Sequence, residues 1–198
     1  LKMIKVNTLI NLLKKNNINF FTGVPDSVLK ELSSYLKNKK NHIIATNEGA
    51  AVSIGIGHYL STKKIPCIYM QNSGLSNALN PLISIAHQKV YSIPLILIIG
   101  WRGSPKFKDE PQHIHQGRIT PALLDAMDIS YGVIDSNMKD DDKLETITLA
   151  TLPTASSAGA QTVIVFRQNS LMIDGAGFRN YQIKGYEEQG EYIVYVGD

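Results

Sequence analysis

The chain has 198 residues and a formal net charge of +3, with 43% hydrophobic and 19% charged residues. These values are typical of one ordinary globular domain with a short tail, and the scattered lysines form no basic stripe of the kind that binds nucleic acid. The single cysteine, Cys67, excludes an internal disulfide and a cysteine zinc site. The N-terminus lacks the pattern of a signal peptide, and the longest apolar run, 93–100, is too short to span a bilayer. We therefore expect a cytoplasmic protein without membrane or nucleic-acid partners.

Apolar runs of strand length alternate with segments of helical periodicity along the first 166 residues. The predicted helices cover 6–15, 26–36, 48–60, 75–86, 120–127 and 140–150. The predicted strands cover 18–22, 42–46, 66–70, 93–100, 131–134 and 162–166. The alternation predicts an α/β fold, an open, mostly parallel six-stranded sheet with helices on both faces. A polar loop is predicted over 101–117, with Pro121 in the first turn of the helix that follows it.

The domain is expected to occupy residues 1–168. Residues 169–198 are rich in Gly, Asn, Gln and Tyr, and they are predicted to form a linker or a C-terminal extension. Within this extension, 192–196 is predicted to be a last strand or the start of a further segment.

Polar segments follow the predicted strands at 23–27, 46–49, 71–74 and 101–117. Because ligands bind beyond the carboxyl ends of the strands in an open parallel sheet, these segments predict a site at one edge of the sheet. The loop 101–117 carries Arg102, Lys106 and Lys108, and Arg118 follows it, a charge suited to an anionic substrate.

The residues of these segments have two interpretations each. Glu48 is either a first-turn glutamate that complements the helix dipole or a partly buried carboxyl that shares a proton with a ligand nitrogen. Asp26 is either a helix cap or a group that Pro25 aims at the edge of the sheet. His113 and His115 have the spacing of a metal pair but lack a third ligand, so we predict no metal site.

A series of short motifs is similar, in the same order, to the phosphonopyruvate decarboxylases, and more distantly to the alpha subunit of sulfopyruvate decarboxylase. The motifs are weak singly and strong together, and they lie at 21–27, 46–51, 70–77, 80–81, 91–94, 98–103, 109–113 and 116–120. Trp-Arg-Gly at 101–103 and Asp-Glu-Pro-Gln-His at 109–113 favour the phosphonopyruvate branch.

The resemblance implies a pyrimidine-binding (PYR) domain that binds thiamine diphosphate. It implies that Glu48 hydrogen-bonds N1′ of the aminopyrimidine ring, and it makes Asp26 the first and His113 the second candidate for proton transfer. The implied cofactor-binding residues are Glu48, Pro25, Asn72, Ser73 and Asn77, and the implied substrate-binding residues are Ser27, Arg102 and Arg118. From the pattern alone, Asn72, Ser73 and Asn77 are equally well explained as turn and cap residues.

The resemblance also implies a partner. In this superfamily a diphosphate-binding (PP) domain holds Mg²⁺ through a Gly-Asp-Gly segment followed by asparagine, a motif that we do not find in this sequence. We therefore expect the PP domain on a longer chain or on a separate subunit, in a homo- or hetero-oligomer. The implied reaction decarboxylates phosphonopyruvate, a small 2-oxo acid, in phosphonate biosynthesis. A sulfopyruvate decarboxylase subunit and a noncatalytic PYR-like assembly domain are the alternatives.

Overall fold

The computed structural model of the protein describes residues 3–105, 107–139, 142, 161–167 and 171–172. The helices are α1 (Val6–Lys15), α2 (Lys30–Leu36), α3 (Glu48–Thr62), α4 (Leu75–Pro81) and α5 (Pro111–Ala126). The strands are β1 (Ile4–Lys5), β2 (Phe20–Gly23), β3 (His42–Ile44), β4 (Pro66–Gln71), β5 (Leu95–Trp101), β6 (Ser130–Ile134), β7 (Gln161–Arg167) and β8 (Leu171–Met172). A short 3₁₀ turn, Asn72–Gly74, joins β4 to α4, and one π-helical segment, Leu82–Ala86, follows α4.

Six strands form one sheet in the order β3-β2-β4-β5-β7-β6, and every neighbouring pair is parallel. The predicted α/β class is therefore confirmed. The central strand β5 is buried along its whole length, as its unbroken apolar run indicates. The sequence pattern did not predict β1 and β8, which pair with each other in a separate two-stranded sheet.

Helices cover both faces of the sheet, also as predicted. Side chains of β4 alternate between two hydrophobic clusters: Cys67 and Tyr69 belong to the first, Ile68 and Met70 to the second. The first cluster contains the buried side of α1 and α2, and the second contains residues of α3, α4 and α5. The periodic apolar residues of α1, namely Val6, Leu9, Ile10 and Leu13, are all buried in the first cluster.

The prediction for 101–127 is wrong in one respect: α5 begins at Pro111, so 111–117 is helix and Pro121 lies inside it. Pro111 is compatible with the first helical turn, and it follows Glu110, whose backbone is extended. Inside the helix, Pro121 has no N–H to donate to the carbonyl of Gly117. The indole Nε1 of Trp101 donates to that carbonyl instead, at 3.0 Å.

Other boundaries differ less. The second helix begins at Lys30 and not at Asp26 or Ser27, and the predicted helix over 75–86 is α4 continued by the π-helical segment. Apart from Asp142 and the two residues of β8, the predicted helix over 140–150 and the predicted extension over 169–198 lie outside the described residues, as does Lys106. In the parts of the chain that the structure covers, no helix is both long and apolar enough to cross a membrane.

Candidate active site

The polar segments that follow β2, β3, β4 and β5 lie at the carboxyl edge of the sheet. The chain leaves β2 toward β3 on one side, and it leaves β4 toward β5 on the other side. The space between β2 and β4 is therefore a topological switch point, where open α/β sheets bind their ligands.

Glu48 is the first residue of α3, and Asn47 caps the helix by accepting a hydrogen bond from the Ala50 N–H at 2.8 Å. Asn77 of α4 donates to Glu48 Oε2 at 2.9 Å. The rest of the carboxyl lies against Gly74, where a Cβ would overlap Glu48 Cγ, Cδ and Oε1. The structure therefore brings Glu48 and Asn77 together.

Asp26 follows β2, and the residue is 8% exposed. Its Oδ2 accepts the Leu29 N–H at 3.1 Å, and its Oδ1 accepts from Gln71 Nε2 at 2.8 Å. Ser73 Oγ donates in turn to Gln71 Oε1 at 2.8 Å. Gly100 gives the carboxyl its room, because a Cβ there would overlap Asp26 Oδ2.

The surroundings of Asp26 act on its proton in opposite directions. Burial raises the pKa of the Asp26 carboxyl above its usual value. The side-chain hydrogen bond from Gln71, the backbone N–H groups of Val28 and Leu29, and the positive charge of Arg102 lower that pKa in part. A carboxyl with a raised pKa at the edge of a binding site is suited to proton transfer.

Arg102 directly follows β5, and the Asp109 carboxylate holds its guanidinium through Nε–Oδ2 at 2.8 Å and Nη2–Oδ1 at 2.5 Å. Nη1 donates to Ser27 Oγ at 2.9 Å. The Asp109 side chain is 2% exposed, and it also accepts the Gly103 N–H at 2.7 Å. These contacts hold the pKa of Asp109 far below its usual range, chiefly through the hydrogen bonds from Arg102. Arg102 and Ser27 are thus brought together beside Asp26.

Asn72 is 2% exposed and joins three parts of the edge. Its Oδ1 accepts the Arg102 N–H at 2.9 Å, while its Nδ2 donates to the Arg102 carbonyl at 3.1 Å and to Thr120 Oγ1 at 2.9 Å. Both ends of the amide are engaged by protein atoms, so in this structure Asn72 holds β4, β5 and α5 together.

The remaining predicted residues are placed less specifically. Pro25 is exposed on the turn after β2, and Arg118 is exposed on α5. The backbone carbonyl of His113 lies against Gly103, whose φ is +64° and which has no room for a Cβ. His113 Nδ1 is buried, and it has no hydrogen-bond partner among the described residues. Within that part of the chain, neither His113 nor Arg118 is hydrogen-bonded to Asp26 or Glu48.

Sequence reasoning did not single out Gln71, Asp109, Gly74 or Gly100. All four lie in or next to motifs that it did identify. Gln71, Gly74 and Gly100 contact carboxyls that are distant in sequence, whereas Asp109 binds Arg102 across the turn of its own loop. Across the described residues, no group of three or more His, Cys, Asp and Glu could hold a metal ion.

Solved structures with this fold include two decarboxylases. The chain matches 4-hydroxybenzoylformate decarboxylase from Rhodococcus jostii with a TM-score of 0.62 and 17% identity, over 83% of this chain and 30% of that chain. It matches benzoylformate decarboxylase from Polynucleobacter necessarius with a TM-score of 0.59 and 17% identity, over 84% and 30% of the two chains. These likenesses define the class of fold, which is the PYR type of the thiamine-diphosphate-dependent enzymes.

The family is defined by sequence. Residues 5–128 match the model of the N-terminal TPP-binding domain of thiamine pyrophosphate enzymes, and the chain belongs to this family.

Two groups of curated relatives match the same region. Phosphonopyruvate decarboxylase from Streptomyces viridochromogenes is 40% identical over 114 residues, which are 57% of this chain and 28% of that protein. Sulfopyruvate decarboxylase subunit alpha from Methanocaldococcus jannaschii is 41% identical over 121 residues, which are 60% of this chain and 69% of that subunit. The match therefore spans less than a third of the first relative and about two thirds of the second.

Proposed function

We propose that this chain supplies the PYR half of a thiamine-diphosphate-dependent decarboxylase that converts phosphonopyruvate to phosphonoacetaldehyde and CO₂ in phosphonate biosynthesis. The observation that carries the proposal is the setting of Glu48 at the carboxyl edge of the sheet. Its Oε2 accepts from Asn77, and within the described part of the chain no hydrogen bond reaches Oε1. A carboxyl oxygen beside the bare Cα of Gly74 can share a proton with a flat ring nitrogen.

The residues present fit the aminopyrimidine half of thiamine diphosphate. Glu48 would hydrogen-bond the ring nitrogen, Asn77 would orient the carboxylate, and Pro25, Asn72 and Ser73 would shape the surrounding edge. When bound, the cofactor supplies the electron-accepting group that makes the loss of CO₂ from a 2-oxo acid possible. We assign Mg²⁺ and the diphosphate to a PP domain, either later in a longer chain or on a separate subunit.

Replacing the carboxylate of the substrate by hydrogen consumes one proton. We assign delivery of that proton to Asp26, because burial favours its protonated form and it lies at the switch point. His113 is the second candidate, since its ring Nδ1 is buried and unpaired among the described residues.

Ser27 and Arg102 would bind the phosphonate group of the substrate. Nη1 of Arg102 and Ser27 Oγ meet at 2.9 Å on the side of the guanidinium away from the Asp109 carboxylate. Guanidinium groups match the geometry of phosphonate and phosphate oxygens. Arg118 is a weaker assignment, because it is exposed on α5.

Sulfopyruvate is the second candidate substrate. The specific observation that favours it is the match to 69% of a sulfopyruvate decarboxylase alpha subunit at 41% identity. Such a subunit would work with a separate PP partner.

The test is a decarboxylation assay of the complete protein, with its PP partner where that is a separate chain, in the presence of thiamine diphosphate and Mg²⁺. Phosphonopyruvate, sulfopyruvate and pyruvate are compared, with Glu48→Gln in parallel and Glu31→Gln as the matched control on α2. We expect phosphonopyruvate to be preferred, and Glu48→Gln to lower kcat by about 100-fold or more.

If the protein prefers sulfopyruvate, the assignment of the cofactor stands and the assignment of phosphonopyruvate as the substrate is wrong. An active Glu48→Gln variant, or no turnover of any 2-oxo acid, would favour a noncatalytic assembly domain.

A further inference from the structure

Gln71 spans the switch point. It is the last residue of β4, and its side chain reaches across to the segment that follows β2. Its Nε2 donates to Asp26 Oδ1 at 2.8 Å, and its Oε1 accepts from Ser73 Oγ at 2.8 Å. Both ends of the amide are therefore engaged, and its orientation is held from the Ser73 side.

The charged surroundings of Asp26 are simple. Backbone N–H groups of Val28 and Leu29 point at the carboxyl from the turn after β2, and Gly100 approaches it from β5 without a side chain. Arg102, after β5, is the charged side chain whose field acts on Asp26, and Asp109 neutralises much of that field. Gln71 from β4 is the side chain that donates to Asp26, and among the causes that lower the Asp26 pKa it ranks first.

We propose that Gln71 is a positioning residue for Asp26, which fixes the orientation of the carboxyl and stabilises its ionised form after the proton has left. This inference rests on the proposed function, in which Asp26 delivers the proton that replaces the carboxylate of the substrate. In that step the O–H bond of Asp26 breaks, a C–H bond forms at the carbon that lost CO₂, and a carboxylate remains. Gln71 and the Leu29 N–H hold that carboxylate.

The geometry separates this role from simple packing. Gln71→Met keeps the length of the side chain but removes the donor, so the ionised form of Asp26 loses stabilisation and its pKa rises. Gln71→Glu places a second carboxyl beside the first, which raises the apparent pKa of the pair further. Ser73→Ala removes the group that steadies Gln71, so a smaller change in the same direction is expected.

The first test needs no turnover. Infrared difference spectra of the complete protein are recorded over a pH series, and the C=O band of protonated Asp26 is identified by its loss in Asp26→Asn. We expect the midpoint of that band to lie roughly one pH unit higher in Gln71→Met than in the unmodified protein, and higher still in Gln71→Glu. Gln88→Met, at the other end of the sheet before β5, is the matched control and leaves the midpoint unchanged. An unchanged midpoint in Gln71→Met overturns the proposal, whether or not the protein is a decarboxylase.

The second test is the pH profile of decarboxylation. Gln71→Met is expected to lower kcat by about 10- to 100-fold with little change in KM, and to move the Asp26-dependent limb of the profile to higher pH. A fall in kcat with an unmoved limb would reduce Gln71 to a packing residue and overturn the proposal. A shifted infrared midpoint in a protein that decarboxylates none of the 2-oxo acids would support the Gln71–Asp26 coupling and count against the proposed function alone.

Discussion

At the residue scale, each of the two carboxyls that we place in the reaction lies against a glycine. Glu48 covers Gly74, and Asp26 Oδ2 lies over Gly100. Neither glycine has a positive φ, so neither is needed for a left-handed backbone. The absence of a side chain at these two positions therefore serves the placement of the carboxyls.

We expect Gly74→Ala to lower turnover by about 100-fold while the fold is kept. The φ of −76° and ψ of −10° at Gly74 suit alanine, so the cost falls on Glu48, whose carboxyl must move away from the new methyl group. The measurement is kcat together with the unfolding temperature.

Gly57→Ala is the matched control, because a Cβ on Gly57 meets nothing within 4 Å. In this exposed position of α3 the change should raise helix stability by up to about 1 kcal/mol and leave kcat unchanged. If Gly74→Ala retained the kcat of the unmodified protein, Gly74 would have no part in placing Glu48.

The ion pair between Asp109 and Arg102 makes a pH-dependent contribution to stability. The pKa of Asp109 is lowered in the folded state, so its contribution is fully present above its unfolded pKa of about 3.9 and is lost as the pH falls below that value. Asp109→Asn leaves Arg102 without its charge partner and should cost roughly 3 kcal/mol at pH 7.

Chemical unfolding at pH 7 and at successively lower pH measures this contribution. The loss caused by Asp109→Asn should shrink on acidification, whereas Asp125→Asn, an exposed position on α5, should have almost no effect at either pH. A loss that stays constant with pH would mean that packing, and not charge, accounts for the effect.

The sequence marks candidate site residues wherever a local signal exists. Asp26 and Glu48 each stand where a strand passes into a helix, and the order of motifs assigns both to one family. The sequence did not predict the tasks of Asn72 and Gln71, because their partners lie 30 to 48 residues away along the chain. An asparagine that only forms a turn and one that, like Asn72, hydrogen-bonds to other elements have the same local sequence pattern.

At the element scale, α5 shows why hydrophobic periodicity failed for 111–117. The buried residues of α5 are Gly117, Thr120 and Leu124, so its inner face is mostly small or polar and has a weak apolar stripe. Instead of large apolar side chains, this face of α5 has a close backbone contact: a Cβ on Gly117 would overlap the Gly103 carbonyl. The hydrogen bond from the Trp101 indole to the Gly117 carbonyl compensates for the N–H that Pro121 lacks.

We expect Trp101→Phe to destabilise the protein by roughly 1 to 3 kcal/mol, because the buried Gly117 carbonyl loses its donor. Pro121→Ala restores an N–H that can donate to the same carbonyl within the helix. The double variant should therefore regain part of the lost stability, measured by calorimetry in a double-mutant cycle. Strict additivity of the two changes would mean that the indole contributes by its volume and not by its N–H.

At the scale of the whole molecule, the sheet was predictable because its strands are short, mostly apolar runs that alternate with longer segments able to form helices. The sequence predicted a parallel sheet but not the order of its strands. The pairing of β5 with β7 and of β1 with β8 joins residues that are far apart in the sequence. The edge that carries Glu48 and Asp26 follows from that order. The same parallel order places the polar segments after β2, β3, β4 and β5 on one side of the molecule.

Under the proposed function, the pyrimidine ring and the diphosphate of the cofactor are held by different domains, and ligand-induced stabilisation should reveal this division. At a concentration 100 times the Kd, a ligand that binds only the folded state stabilises it by about 2.7 kcal/mol. We expect thiamine diphosphate with Mg²⁺ to stabilise the complete protein by this amount, and to stabilise the 198-residue chain alone very little.

Glu48→Gln should weaken the effect in the complete protein without abolishing it, because the diphosphate contacts remain. Thiamine without the diphosphate is the control ligand and should stabilise neither form appreciably. Equal stabilisation of the isolated chain and the complete protein would show that this chain holds the diphosphate itself, and the division of the site that we propose would then be wrong.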